Sequence, residues 1–312
     1  MGALILASDE GEFGLARSIE AFRAGGDPVS CLEAGIRAVE DDPRARTVGY
    51  GGAPAADGRM SLDASIMEGT TRRCGSVGGL CATRYPIAVA RAVMEHLPHV
   101  MLAGDGAERF AREVGCEQRN MLTDEAREDY HEWQAHHGIA RGGETSAPLL
   151  STLDFTPRRN LSFGTVTFLM RDGTGRLAGG ASTSGWAYKY PGRLGDSPII
   201  GAGVYVDDRY GGATCTHTGE MTIRTAAAHS VVMHLRYGRP LIEACHLVAE
   251  DLTELSGGYL GPVIIHAMNR VGEVYVLQVG ETDGDDYWVW REGDEAPTRH
   301  APARFTPGRP LR

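Results

Sequence analysis

The sequence predicts an α+β fold in which sheets lie between layers of helices, and three observations carry that expectation. Apolar residues recur at helical spacing near the N-terminus, the period becomes that of strands after Gly164-Thr165, and a pair of helical stretches then divides the strand-forming half. Taken in order, Met1-Gly2-Ala3-Leu4-Ile5-Leu6-Ala7 lacks a basic flank and turns acidic at Asp9 and Glu10, so it reads as a first strand rather than a cleaved leader. Leu15, Ile19 and Phe22 fall at i, i+4 and i+7, as do Leu32, Ile36 and Val39, which predicts two amphipathic helices from about 14 to 40, broken at Gly25-Gly26-Asp27-Pro28. Pro86 to His96 and Asp105 to Val114 read as two more.

Between about 117 and 162 the pattern dissolves into charged, Pro- and Gly-containing sequence, with His136-His137 and Pro157-Arg158-Arg159 inside it. A long irregular stretch of this kind is expected to be a functional loop or a linker. It ends directly before Thr165. Strands are then expected over Val166 to Met170, Arg176 to Ser182, Val263 to Met268, Glu273 to Leu277 and Tyr287 to Trp290, with helices over roughly Thr222 to Leu235 and Leu241 to Leu255.

The 312 residues, 42% apolar and 23% charged, suffice for a sizeable core and contain no apolar run long enough to cross a membrane. A net charge of −10 argues against nucleic acid as a partner, because neutralising phosphates takes clustered Lys and Arg. Six cysteines show neither a C-x-x-C pair nor zinc spacing, so reduced thiols and a cytoplasmic location are expected. His96, His99 and His266 also lack metal-ligand spacing.

The most informative local feature is Gly164-Thr165-Val166. A threonine in mid-chain is a poor nucleophile, but one exposed by cutting the bond before it carries a hydroxyl and an α-amine of ordinary pKa roughly 8, able to act as its own base. Downstream stand Ser182-Thr183-Ser184-Gly185, Lys189, Gly192-Arg193-Leu194-Gly195-Asp196-Ser197-Pro198, Gly201-Ala202-Gly203 and Thr216-x-x-Gly219-Glu220; upstream stand Val48-Gly49-Tyr50-Gly51-Gly52-x-Pro54 and Leu62-Asp63-Ala64-Ser65-Ile66-Met67-Glu68. Several separate motifs, in this order over most of the chain, resemble the glycosylasparaginase (aspartylglucosaminidase) and isoaspartyl-peptidase family of N-terminal-nucleophile hydrolases.

The resemblance implies a four-layer αββα sandwich built as one domain, with an α subunit of residues 1–164, a β subunit of residues 165–312 beginning with the nucleophile, and assembly as a dimer of αβ units. It implies autocleavage between Gly164 and Thr165, a small-molecule β-aspartyl substrate, no metal and no organic cofactor. Thr165 would be the nucleophile, Thr183 the hydroxyl that orients it, and Thr216 with the backbone N–H of the next residue the oxyanion hole. Arg193 would grip the substrate α-carboxylate and Asp196 its α-ammonium, beside Gly219.

Two positions depart from the family's pattern. His217 stands where glycine is normal, which puts a Cβ and an imidazole beside the oxyanion hole. No tryptophan follows the first strand; the stretch reads Ser8-Asp9-Glu10-Gly11-Glu12-Phe13, whose carboxylates at a pocket rim would favour neutral or cationic leaving groups. Glycine at 164 leaves both branches of the family open, glycosylasparaginase and isoaspartyl peptidase with asparaginase activity. An uncleaved, catalytically silent binding protein is the rival of another class.

Overall fold

A computed structural model describes residues 2–139, 150, 164–282 and 285–308. Strand β1 (Leu4–Ser8) opens the chain, a 3-10 turn (Asp9–Gly11) follows, and α1 (Glu12–Arg23) and α2 (Pro28–Asp41) stand where the apolar spacing put them. Their break has a local cause. The Asp27 carboxylate accepts from Ser30 N at 2.7 Å and Pro28 sits in the first turn of α2, where its missing N–H costs nothing. β2 (Leu62–Glu68), β3 (Cys74–Leu80), α3 (Pro86–His96), β4 (Met101–Ala103) and α4 (Gly104–Glu113) complete the first part.

The stretch read as irregular is corrected over residues 124–136, which form α5 (Asp124–His136); residues 140–149 and 151–162, including Pro157-Arg158-Arg159, lie outside the described residues. α5 escaped the apolar pattern because its inner face is Ala126, Tyr130 and Gln134, only one of them large and apolar. What holds it is a cap, with Thr123 Oγ1 accepting from Ala126 N at 3.1 Å, and aromatic packing, with Trp133 stacked on Tyr188 at 4.6 Å between centroids.

β5 (Val166–Arg171), β6 (Leu177–Thr183), β7 (Val204–Asp207) and β8 (Gly211–His217) follow, then α6 (Gly219–Thr225), α7 (Ala227–Arg236), α8 (Leu241–Glu254), and β9 (Val263–Asn269) to β13 (Ala303–Arg304) through β10 (Val274–Val279), β11 (Tyr287–Arg291) and β12 (Thr298–His300). The single helix expected over Thr222 to Leu235 is two. Ala226 takes φ +46 between α6 and α7, a left-handed value that ends one helix and redirects the chain into the next. Strands β2, β3, β4, β7, β8, β12 and β13 had no expectation attached: Gly and Ala blur the alternation in β3 and β8, β2 is buried on both faces, and the others are only two to four residues long.

The strands form two sheets. The larger has the order β12-β11-β1-β5-β6-β2-β3-β4 and the smaller β13-β10-β9-β8-β7. One apolar cluster joins α1, α2 and α3 to the larger sheet through Leu15, Ile36, Ile87, Phe168 and Trp290. A second joins α7 and α8 to the smaller sheet through Val231, Val248 and Ile265. The third, with Leu4, Leu6, Leu169, Val206, Ile264 and Met268, draws on both sheets. Each fully buried Leu, Ile or Phe contributes about 1.5–3 kcal/mol, so these clusters dominate stability.

Side-chain alternation fixes what else faces the space between the sheets. On β5, Phe168 and Met170 face helices while Leu169 faces the other sheet, so Thr167 and the preceding Thr165 share the face of Leu169. By the same parity Thr183 follows Ala181 on β6, and Thr214 and Thr216 alternate with Ala213 and Cys215 on β8. Three threonines singled out from the sequence therefore open onto one interior.

Candidate active site

Thr165 immediately precedes β5 and is 9% exposed. Its carbonyl accepts from Ser8 Oγ at 3.1 Å, and the same Ser8 Oγ accepts from Thr167 N at 2.9 Å, so β1 fixes the backbone on both sides of Val166. Val166 pairs with Ser182 across β5 and β6, which brings Thr183 alongside residues 164 and 165. Thr183 Oγ1 donates to the Gly164 carbonyl at 2.8 Å, and the Gly185 N–H donates to Thr183 Oγ1 at 2.9 Å. A hydroxyl thus rests on the carbonyl oxygen of the Gly164–Thr165 peptide bond.

Gly164 is a glycine by necessity. A Cβ there would stand 2.3 Å from Thr47 Oγ1 and 2.8 Å from Thr47 Cβ and Cγ2, closer than real Cβ contacts come. Thr47 itself is anchored from two directions. Its carbonyl accepts from Ser184 N at 2.8 Å and Ser184 Oγ at 2.9 Å, and its hydroxyl donates to Glu10 Oε2. Burial pushes the Glu10 acid up to about 7 against the pull of that hydrogen bond. Glu10 therefore turns to Thr47, and Asp9 pairs with Arg299 at 3.5 Å, so the three carboxylates expected at a pocket rim have two of their number engaged elsewhere.

The loop after Thr183 is held by Lys189, which is buried and donates to the Ser61 and Ser184 carbonyls at 2.9 and 3.0 Å. Burial lowers the Lys189 pKa, and Asp63, 3.9 Å away, opposes that shift. Asp63 in turn accepts from Gly79 N at 2.9 Å, which gives the Leu62-Asp63 motif its structural sense.

Arg193 and Asp196 both reach α6. Arg193 Nε and Nη2 donate to the two Glu220 oxygens at 3.0 and 2.9 Å, and its guanidinium lies 4.3 Å from the centroid of Trp186. Two of five N–H groups are spent on Glu220; Nη1 points toward Gly185 and Gly195. Asp196 is buried and accepts from Thr222 Oγ1 at 2.8 Å. Burial raises its pKa to about 6, with Thr222 and Arg193 pulling the other way, so near neutrality most of it is a carboxylate. Gly219 follows from the same contact: a Cβ there would stand 2.8 Å from Asp196 N and 2.9 Å from Asp196 Oδ1.

At the end of β8, Thr216 Oγ1 is 3.1 Å from His217 Nδ1, and His217 Nε2 is 3.1 Å from Asp285 Oδ2. His217 holds φ +82. That is left-handed backbone, which costs a side-chain-bearing residue about 1–2 kcal/mol and which glycine adopts freely. Burial works against the Asp285 carboxylate, yet its hydrogen bond and charge interaction with His217 outweigh it and hold the acid below its ordinary range.

The geometry thus joins Thr183 to Gly164, and Arg193 and Asp196 to α6 and Gly219, one residue beyond Thr216-His217. Trp186, Glu220, Thr47 and Asp285 were given no role from the sequence, and Glu10 was expected at a pocket rim rather than on Thr47. Glu220 closes a quoted motif and Trp186 directly follows one, whereas nothing in the sequence ties Asp285 to His217 across 68 residues. Among the described residues no group of three His, Cys, Asp or Glu side chains is arranged to hold a metal ion, and all six cysteines are free. No helix among them is long and apolar enough to cross a membrane.

Comparison with known proteins agrees with the motifs. The chain is 41% identical over 279 residues to an N(4)-(beta-N-acetylglucosaminyl)-L-asparaginase of Elizabethkingia miricola, covering 86% of this chain and 77% of that one. It is 33% identical to the enzyme of the same name from Rattus norvegicus, over 77% of this chain and 74% of that one. To an isoaspartyl peptidase of Salmonella typhimurium it is 34% identical, over 89% and 85%. The Asparaginase family profile matches residues 14–289, and the chain belongs to that family.

Proposed function

We propose that the chain is an autoprocessed threonine amidohydrolase that cleaves the side-chain amide of N4-substituted asparagine, in the manner that the names of its relatives describe. The observation that carries this reading is the Thr183 hydroxyl on the Gly164 carbonyl, with Thr165 next in the chain. In self-cleavage Thr165 Oγ attacks the Gly164 carbonyl carbon, Thr183 supports the oxyanion, the C–N bond breaks to leave an ester and a free α-amine, and water hydrolyses the ester. Residues 1–164 and 165–312 are then the two subunits of one domain. The freed amine is the base of the mature enzyme.

In the second reaction the Thr165 hydroxyl attacks the substrate β-carbonyl carbon and gives its proton to the Thr165 amine. Thr216 and the His217 N–H hold the oxyanion, the leaving amine takes the proton, and water releases aspartate from the ester. Arg193 offers its remaining edge to the α-carboxylate, and Asp196 accepts from the α-ammonium. Every step uses side chains, a backbone N–H, an amine and water. Trp186, 5.1 Å from Tyr259 between ring centroids, supplies the aromatic wall that the N-terminal stretch lacks.

The three apolar clusters support the four-layer αββα arrangement, the free thiols suit the cytoplasm, and the resemblance carries the dimer of αβ units. A second reading, isoaspartyl peptidase with asparaginase activity, draws on the Salmonella relative, and Gly164 is compatible with either reading. Two bands on a denaturing gel, with an N-terminus at Thr165, support the hydrolase; a single band near 33.5 kDa with no turnover supports a silent binding protein. Rates on glycosylasparagine, β-aspartyl dipeptides and asparagine choose between the two hydrolase readings.

A further inference from the structure

The chain Thr216 Oγ1, His217 Nδ1, His217 Nε2, Asp285 Oδ2 is a continuous run of hydrogen bonds at the oxyanion hole, and proton counting along it has one consequence. An Asp285 carboxylate can only accept, so Nε2 carries a proton in either charge state of the ring. The open question is Nδ1. When Nδ1 is protonated it donates to Thr216 Oγ1, and the Thr216 hydroxyl proton is left to point at a substrate oxyanion. When Nδ1 is bare it accepts that same hydroxyl proton, and the donor is withdrawn from the site. One proton on one ring therefore decides whether Thr216 faces the substrate or its neighbour.

The surroundings leave Asp285 as the carboxylate that acts on this ring. His266, on the adjacent strand β9, is buried and pushed down to about 3, chiefly by burial and then by His217, so it stays neutral. Asp9 and Asp286 both pair with Arg299, at 3.5 and 2.8 Å. Asp196 is engaged by Thr222 and lies near Arg193. His217 is 8% exposed at its side chain and held at φ +82, so its ring has little freedom to leave this arrangement.

We propose that His217 and Asp285 are positioning residues that gate the oxyanion donor Thr216, which serves the reaction only while His217 is an imidazolium held by the Asp285 carboxylate. This rests on the amidohydrolase reading above. It adds an alkaline limb to catalysis that the family's glycine would not create. The strain of a left-handed histidine is the structural cost of that control.

The test is kcat/KM against pH for the processed protein on aspartic acid β-(p-nitroanilide), with 15N NMR of the His217 ring in the substrate-free protein. The wild type should lose activity about tenfold per pH unit on the alkaline side. Asp285→Asn, which removes the charge and keeps the shape, should move that decline at least one unit toward acid. His217→Gly, and His217→Asn as a second non-titrating residue tolerant of positive φ, should lower the plateau and abolish the decline. The NMR spectra should show both ring nitrogens protonated on the acid side and Nε2 alone on the alkaline side. An unchanged alkaline limb in both His217 variants, or a neutral ring protonated at Nδ1, overturns the gate. Absence of turnover on every asparagine derivative would instead sink the functional reading, with the ring-proton pattern still deciding whether the switch exists.

Discussion

At Gly164 the space for a side chain is already taken by Thr47, whose Oγ1 would meet a Cβ at 2.3 Å. Gly164→Ala should therefore displace the peptide bond from Thr183 and slow self-cleavage by about tenfold or more, given that overpacking costs about 1–3 kcal/mol. Thr47→Ala in the same chain should restore part of the rate, which band densities on a time-course gel will read; no recovery would show that the clash is not the cause. Arg193 supports a second expectation. Lysine cannot hold Glu220 and a substrate carboxylate with two edges of one plane, so Arg193→Lys should lower kcat/KM by about tenfold or more while processing continues, since charged hydrogen bonds contribute about 1.5–3 kcal/mol. Unchanged kinetics in the processed variant would refute that assignment. Thr165, Thr183, Thr216, Arg193 and Asp196 could be proposed from the sequence because each sits in a short, ordered motif. Asp285 and Thr47 were not, since both lie in loops that meet their partners through the tertiary fold rather than through sequence neighbourhood.

Among the elements, α6 does the most for the site in the fewest residues: Gly219 admits Asp196, Glu220 engages Arg193, and Thr222 donates to Asp196. Thr222→Val keeps the volume and removes the donor. Asp196 then loses the hydroxyl that opposes its burial, its pKa rises from about 6, and less carboxylate is present near neutrality to accept a substrate ammonium. KM should rise several-fold at pH 7 and recover at pH 8.5, with kcat little altered; a KM shift independent of pH would point to mere loosening of α6. The helical period found this region but ran it together with α7, because one left-handed alanine interrupts it without a Gly or Pro to announce the break. α5 was lost for the opposite reason. Its stability comes from the Thr123 cap and from Tyr130 and Trp133 against Tyr188, and aromatic contacts to a distant loop leave no apolar stripe to read.

For the whole molecule, the balance of shifted acids predicts how stability responds to pH. Glu40 lies fully buried at the end of α2, its Oε1 accepting from Ile87 N at 2.9 Å and Ser182 Oγ at 2.6 Å. Burial pushes it up to about 8, while Glu10 and Asp196 are raised to about 7 and about 6. For an acid raised on folding, the native state keeps its proton where the unfolded chain has lost it. Stability therefore falls as pH climbs from the unfolded value near 4.5 through the folded one, at up to about 1.4 kcal/mol per unit for each group. Asp41 and Asp207, held low first by hydrogen bonds from Arg84 and Arg209, act in the reverse sense and lose their contribution as pH falls below about 4. The optimum should lie near pH 5–6. Urea unfolding is best read in Thr165→Ala, which on the proposed mechanism keeps one continuous chain and avoids a two-chain transition. In that background the midpoint should drop between pH 6 and 9, and Glu40→Gln, which retains the acceptor and cannot ionise, should remove about 1 M of the drop while changing little at pH 5. Parallel curves for the two proteins across this range would mean that Glu40 is ionised in the native state, and that its carboxylate is stabilised by something other than Ser182 and the Ile87 N–H.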